Sequence, residues 1–143
     1  VTGVQTCALP ICSRTVTSIF MGGGTPSLMK PETVGAILNG IARHWHVPPG
    51  IEITMEANPG TFEAEKFRSF ASSGINRLSI GIQSFNDKHL KALGRIHDAD
   101  EAWRAITIAK NSFENINLDL MFALPEQTTR PRMESGGSFS LQT

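Results

Sequence analysis

Two periods of hydrophobic and polar residues run through the central part of the chain. Ser18-Ile19-Phe20-Met21 is a short apolar run ending in Gly22-Gly23-Gly24, which predicts a strand and a turn. From Pro31, the apolar residues Val34, Ile37, Leu38, Ile41 and Trp45 fall on one helical face, with proline in the first turn. Pro48-Pro49-Gly50 closes that unit. Ile51 to Glu56 alternates and predicts a second strand, followed by a turn at Asn58-Pro59-Gly60. Thr61 is the expected N-cap of a helix that buries Phe67, Phe70 and Ala71, with Gly74 at its C′ position. Arg77 to Gln83 predicts a third strand, and Ser84 to Gly94 holds a short helix. Asp98 and Glu101 have capping-box spacing before a longer helix with Ala102, Ala105, Ile106 and Ala109 on one face. Ile116 to Met121 predicts the last strand.

Strands recurring every 25–35 residues or so, with helices between, have the size of βαβ units and predict a parallel α/β sheet with right-handed crossovers. A doubly wound sheet and a (β/α) barrel both satisfy that repeat. The faces of the strands bear on the choice, because successive side chains point to opposite sides. Ile51, Ile53 and Met55 alternate with Glu52, Thr54 and Glu56. Leu78, Ile80 and Ile82 alternate with Ser79, Gly81 and Gln83, and Ile116, Leu118 and Leu120 with Asn117 and Asp119. A sheet covered by helices on both faces wants near-continuous apolar strands. A barrel lets the apolar side pack on outer helices while the other side faces the lumen. A single solvated face would explain one such strand, but its repetition favours a wide or incomplete barrel with a polar interior. Glu56 and Gln83 are placed last in their strands, at the rim where βα barrels put their chemistry.

Composition narrows the class of partner. Hydrophobic residues make up 40% and charged residues 18%, which is globular, and Lys plus Arg equals Asp plus Glu at 13 each. That balance gives no electrostatic case for nucleic acid or an anionic membrane surface. No apolar run reaches the roughly 20 residues of a transmembrane span, no signal peptide is visible, and a cytoplasmic setting is expected. The two cysteines, Cys7 and Cys12, have no third cysteine or nearby histidine to complete a metal site and read as unrelated thiols.

Single motifs are ambiguous. The glycine run before Thr25 and Pro26 lets a ligand approach the backbone, yet it lacks the lysine of a phosphate loop, and Ser27 stands where a dinucleotide motif needs glycine. Alone it is a turn. Arg95 alone reads as a solvated charge, His97 as a helix-start residue, and Met55 and Met121 as core.

Taken in order, the segments 18–27, 52–61, 76–85, 93–97 and 117–121 resemble successive strand-end motifs of the oxygen-independent coproporphyrinogen III oxidase family of radical S-adenosylmethionine (SAM) proteins. The wording around Glu56-Ala57-Asn58-Pro59 and Gln83-Ser84-Phe85 is most similar to the heme-chaperone (HemW-type) branch. The resemblance implies a fragment of a partial (β/α)6 TIM-like barrel over residues 14–127, with parallel strands and outer helices. It implies SAM and a 4Fe-4S cluster as cofactors, with heme or coproporphyrinogen III as partner. The mechanism implied is reductive SAM cleavage to a 5′-deoxyadenosyl radical. By position, Gly22, Gly23 and Gly24 match the loop for the methionyl end of SAM, and Glu56 a carboxylate contacting it. Gly24, Thr25, Gln83, Arg95 and Asp119 match positions around a second SAM. The implied function is a heme chaperone, with the oxidase and a non-functional fragment as alternatives.

The ends depart from that pattern. The family's Cys-x3-Cys-x2-Cys loop belongs upstream of Ser18, where this chain has only Cys7 and Cys12. Residues 1–11 resemble a translated sequencing-library adapter, so 1–13 are expected to be non-native. Residues 128–143 are polar with Gly and Ser, and a disordered or aberrant tail is expected. As given, the chain is expected to lack the ligands of the cluster and to be inactive.

Overall fold

A computed structural model describes residues 14–61, 63–125 and 127. The expectations for 1–13 and 128–143, Cys7 and Cys12 included, fall outside the described residues. The elements follow the sequence pattern: β1 (Ser18–Met21), α1 (Pro31–His44), β2 (Glu52–Ala57), α2 (Ala64–Ser72), β3 (Arg77–Gln83), α3 (Asp87–Ala92), α4 (Ala99–Ser112) and β4 (Asn115–Leu120). Single 3₁₀ turns at Pro26–Leu28 and Pro59–Thr61 follow β1 and β2.

The four strands pair in the order β1-β2-β3-β4, all parallel. Each strand therefore lies beside the next one made, without the reversal that defines a doubly wound sheet. β1 and β4 do not pair with each other, so the barrel is open among the described residues. The core lies on one side of the sheet. Met55, Leu78, Ile80 and Ile82 meet Val34 and Leu38 of α1, Phe67 and Phe70 of α2, and Ala102, Ile106 and Ala109 of α4 in one cluster. The buried apolar strand residues are of the predicted parity, while Thr54 and Ser79 are buried on the other side. The opposite face carries Glu52, Thr54, Arg77, Ser79, Asn117 and Asp119, tied to one another by hydrogen bonds. No helix among the described residues is long and apolar enough to cross a membrane.

Several local expectations are corrected. β2 begins and ends one residue later than predicted, and β4 one residue earlier. At the start of β2, the Asn76 side chain takes the place of a strand neighbour: its Nδ2 donates to the Ile51 carbonyl (2.7 Å) and its Oδ1 accepts from the Ile53 amide (2.8 Å). At the end, Ala57 pairs with Ile80, so Glu56 is next to last. Thr61 does not cap α2. Its hydroxyl donates to the Asn58 carbonyl at 2.7 Å and lies 3.0 Å from the Ser27 hydroxyl, so the helix starts at Ala64 behind Glu63. Ile37 is 41% exposed, because Val34 and Leu38, one turn apart, define the buried line of α1 and Ile37 lies on its flank. Met121 is 45% exposed, just past the end of β4, where its amide donates to the Gln83 carbonyl (2.9 Å). The capping box of α4 forms as expected: the Glu101 amide donates to Asp98 Oδ1 (2.8 Å) and the Asp98 amide to Glu101 Oε2 (3.1 Å).

Candidate functional site

Carboxyl ends of parallel strands leave their last side chains beside loops that must turn back to a helix, so polar groups converge there. In this chain Gly24, Thr25, Glu56, Gln83, Arg95 and Asp119 line one cavity of about 230 Å³. Ala57, Asn58, Ser79 and Gly81 complete its walls. Gly22 and Gly23 stand one step back, behind Glu56. The Gly23 amide donates to Glu56 Oε2 at 3.1 Å, which ties the carboxylate to the loop after β1. A Cβ on Gly22 would lie 2.5 Å from Phe20 Cε1 and 3.1 Å from the Glu56 carboxyl carbon, so no other residue fits without displacing them.

The far wall is held by a polar triangle. Asp119 Oδ2 accepts from the Ser79 hydroxyl (2.9 Å), Oδ1 accepts from Asn117 Nδ2 (2.6 Å), and that same amide donates to the Ser79 hydroxyl (3.2 Å). A carboxylate fixed in this way is preorganised, so a group binding to it would meet it with little reordering. Asn58 links the remaining walls. Its Nδ2 donates to the Thr25 hydroxyl (3.2 Å), and its Oδ1 accepts from Arg95 Nη1 (3.4 Å). The sequence pattern alone assigns Asn58 only to a turn. Gly81 makes room for this arrangement, since a Cβ there would sit 3.1 Å from both Asn58 Oδ1 and Gln83 Nε2.

Below the cavity, Arg77 Nη1 donates to Glu52 Oε1 at 2.9 Å, and the Thr54 hydroxyl donates to the same oxygen at 3.0 Å. The hydrogen bond from Arg77, then that from Thr54, holds the Glu52 carboxyl below its usual range, against the opposing effect of desolvation.

A family model described as the radical SAM superfamily matches residues 11–135. This chain is a radical SAM protein. It is similar to the heme chaperone HemW of Haemophilus influenzae, 50% identical over 125 residues, which cover 87% of this chain and 33% of that protein. It is 47% identical to the heme chaperone HemW of Escherichia coli over 116 residues, 80% of this chain and 31% of that one. Among solved structures, the coproporphyrinogen III oxidase HemN of Escherichia coli, described as a radical SAM enzyme, superposes with a TM-score of 0.74 at 27% identity. That match covers 83% of this chain and 28% of HemN. The fold is therefore part of a radical SAM TIM-like barrel, and the chain spans about a third of the length of the relatives it matches.

The radical SAM family implies SAM and a 4Fe-4S cluster. The cavity's chemistry fits a zwitterionic cation such as SAM: two carboxylates, Glu56 and Asp119, one guanidinium, Arg95, and a glycine without a side chain, Gly24, line it. The cluster is a different matter. The described residues contain no cysteine and no cluster of three metal-binding side chains, so no step is assigned through it.

Proposed function

We propose that this chain is the SAM-binding portion of a heme chaperone working in the cytoplasm. The convergence of Glu56, Gln83, Arg95 and Asp119 on one cavity supports SAM binding, and the 50% identity to HemW supports the chaperone. In this reading Gly22, Gly23, Gly24 and Glu56 receive the methionyl end, while Thr25, Gln83, Arg95 and Asp119 bind and orient the rest or a second SAM. The part of these residues is to position SAM and exclude water. Glu56→Ala in the whole protein is expected to weaken SAM binding by about 1–3 kcal/mol, the loss of charged hydrogen bonds, read by calorimetric titration. Unchanged affinity would remove Glu56 from the site.

The likeness to HemN favours a second reading, an oxidase acting on coproporphyrinogen III. Assayed anaerobically with reductant, the full-length protein should bind heme and leave coproporphyrinogen III intact. Turnover to protoporphyrinogen would favour the oxidase. The 143-residue chain alone, with Cys7 and Cys12 as its cysteines, should take up no iron on anaerobic reconstitution, and a stable 4Fe-4S chromophore on it would overturn that expectation.

A further inference from the structure

His97 is 5% exposed and does not line the cavity. Its Nε2 lies 3.2 Å from the Ile82 carbonyl. A carbonyl only accepts, so Nε2 carries a proton and donates it. The same carbonyl accepts the Ser84 amide at 2.8 Å, which closes a three-residue turn around Gln83. Gln83 has φ +67°, a conformation that a side chain with a Cβ seldom adopts and that persists only where the surroundings enforce it. The β3–β4 ladder shifts register between Ile80 and Gln83, where Gln83 comes to pair with Leu120, so the turn stands at an irregularity of the sheet. Beyond the turn, the Gln83 carbonyl accepts the Met121 amide at 2.9 Å and ties in the end of β4. His97 also closes the segment after α3 that carries Arg95 two residues earlier. One imidazole thus joins the turn that aims Gln83 to the loop that delivers Arg95.

We propose that His97 is a positioning residue that holds the Gln83 turn and the Arg95 loop in register for SAM. This rests on the reading of the cavity as a SAM site. A histidine that only fills the core would affect the whole domain when replaced. A positioning histidine acts on its own turn. Glutamine carries an amide nitrogen the same number of bonds from Cβ as His Nε2, so His97→Gln keeps the donor, whereas His97→Leu keeps bulk without it.

The test uses the full-length protein in wild-type, His97→Gln and His97→Leu forms. Amide exchange is followed at residues 82–85 and 120–122 and in α4, beside calorimetric titration with SAM. His97→Leu should speed exchange at the Ser84 and Met121 amides by about tenfold or more while α4 stays protected. It should weaken SAM binding by about 5- to 50-fold, and His97→Gln should restore both. Unchanged exchange at Ser84, a uniform rise that includes α4, or a folded His97→Gln that behaves like the leucine variant would each overturn the proposal. If the leucine variant does not fold, His97→Asn, whose amide stops one bond short, replaces it with the same expectations. If wild-type protein fails to bind SAM, the SAM reading falls, and the exchange pattern alone decides the role of His97.

Discussion

At Gly22 the absence of one carbon sets the shape of the site. A Cβ at this position would meet Phe20, which is 61% exposed and free to swing, and Glu56, which is not, because the Gly23 amide holds it. Gly22→Ala should therefore fold normally yet loosen the Glu56 carboxylate. We expect SAM affinity to fall about tenfold, the scale of one charged hydrogen bond, with little change in thermal midpoint. A large drop in midpoint with intact affinity would contradict this. The parity of the strands made Glu56, Gln83 and Asp119 legible in the sequence, because each belongs to a polar face repeated along the chain. Asn58 was not legible. Its two partners lie 33 and 37 residues away, and nothing in a turn motif says which distant hydroxyl or guanidinium its amide will meet.

Among the elements, the strands and helices followed their periodicity; β1 and β3 also kept their expected ends, whereas β2, β4 and the start of α2 shifted. α4 has its start written in two residues three positions apart, Asp98 and Glu101, and begins where the pattern puts it. α2 does not, because Thr61 is drawn to Asn58 and Ser27 by the fold of the loop. Asp98→Ala should thus cost about 0.5–2 kcal/mol, visible as a lower urea midpoint. Between β2 and β3, Glu52 bonds Arg77 near the amino ends of the strands. Its carboxyl is depressed below 4.5, so the pair's contribution is complete above that pH and is lost as pH falls through the folded value. Glu52→Gln should flatten the loss of stability with acid below about pH 4.5 relative to wild type, measured as denaturant midpoint against pH. An acid limb as steep as the wild type's would show that the pair does not titrate with folding.

At the scale of the whole molecule, one core among the described residues serves α1, α2 and α4, and Phe67 sits within it, edge-on to Phe70 (5.6 Å between centroids) and Phe113 (6.4 Å). Phe67→Ala should cost about 3–5 kcal/mol. Against a typical total of about 5–15 kcal/mol, that takes a large share of the margin, and circular dichroism melting would show it. A midpoint within a degree of wild type would mean that Phe67 is not the centre of the packing. The order of the strands and the side the helices take could be read from the βα repeat and the two-faced strands. The open edge between β1 and β4 could not, because closure depends on how many strands follow rather than on the pattern within any of them. The strictly sequential strand order also bears on how the protein is made. Ribosomes add about 5–20 residues per second, and each new strand can dock on the one already emerged. Gly24, Glu56, Gln83, Arg95 and Asp119 then take their places in the order of synthesis. The carboxylate that completes the far wall arrives last, so the nascent chain builds its scaffold before it has a cavity to fill.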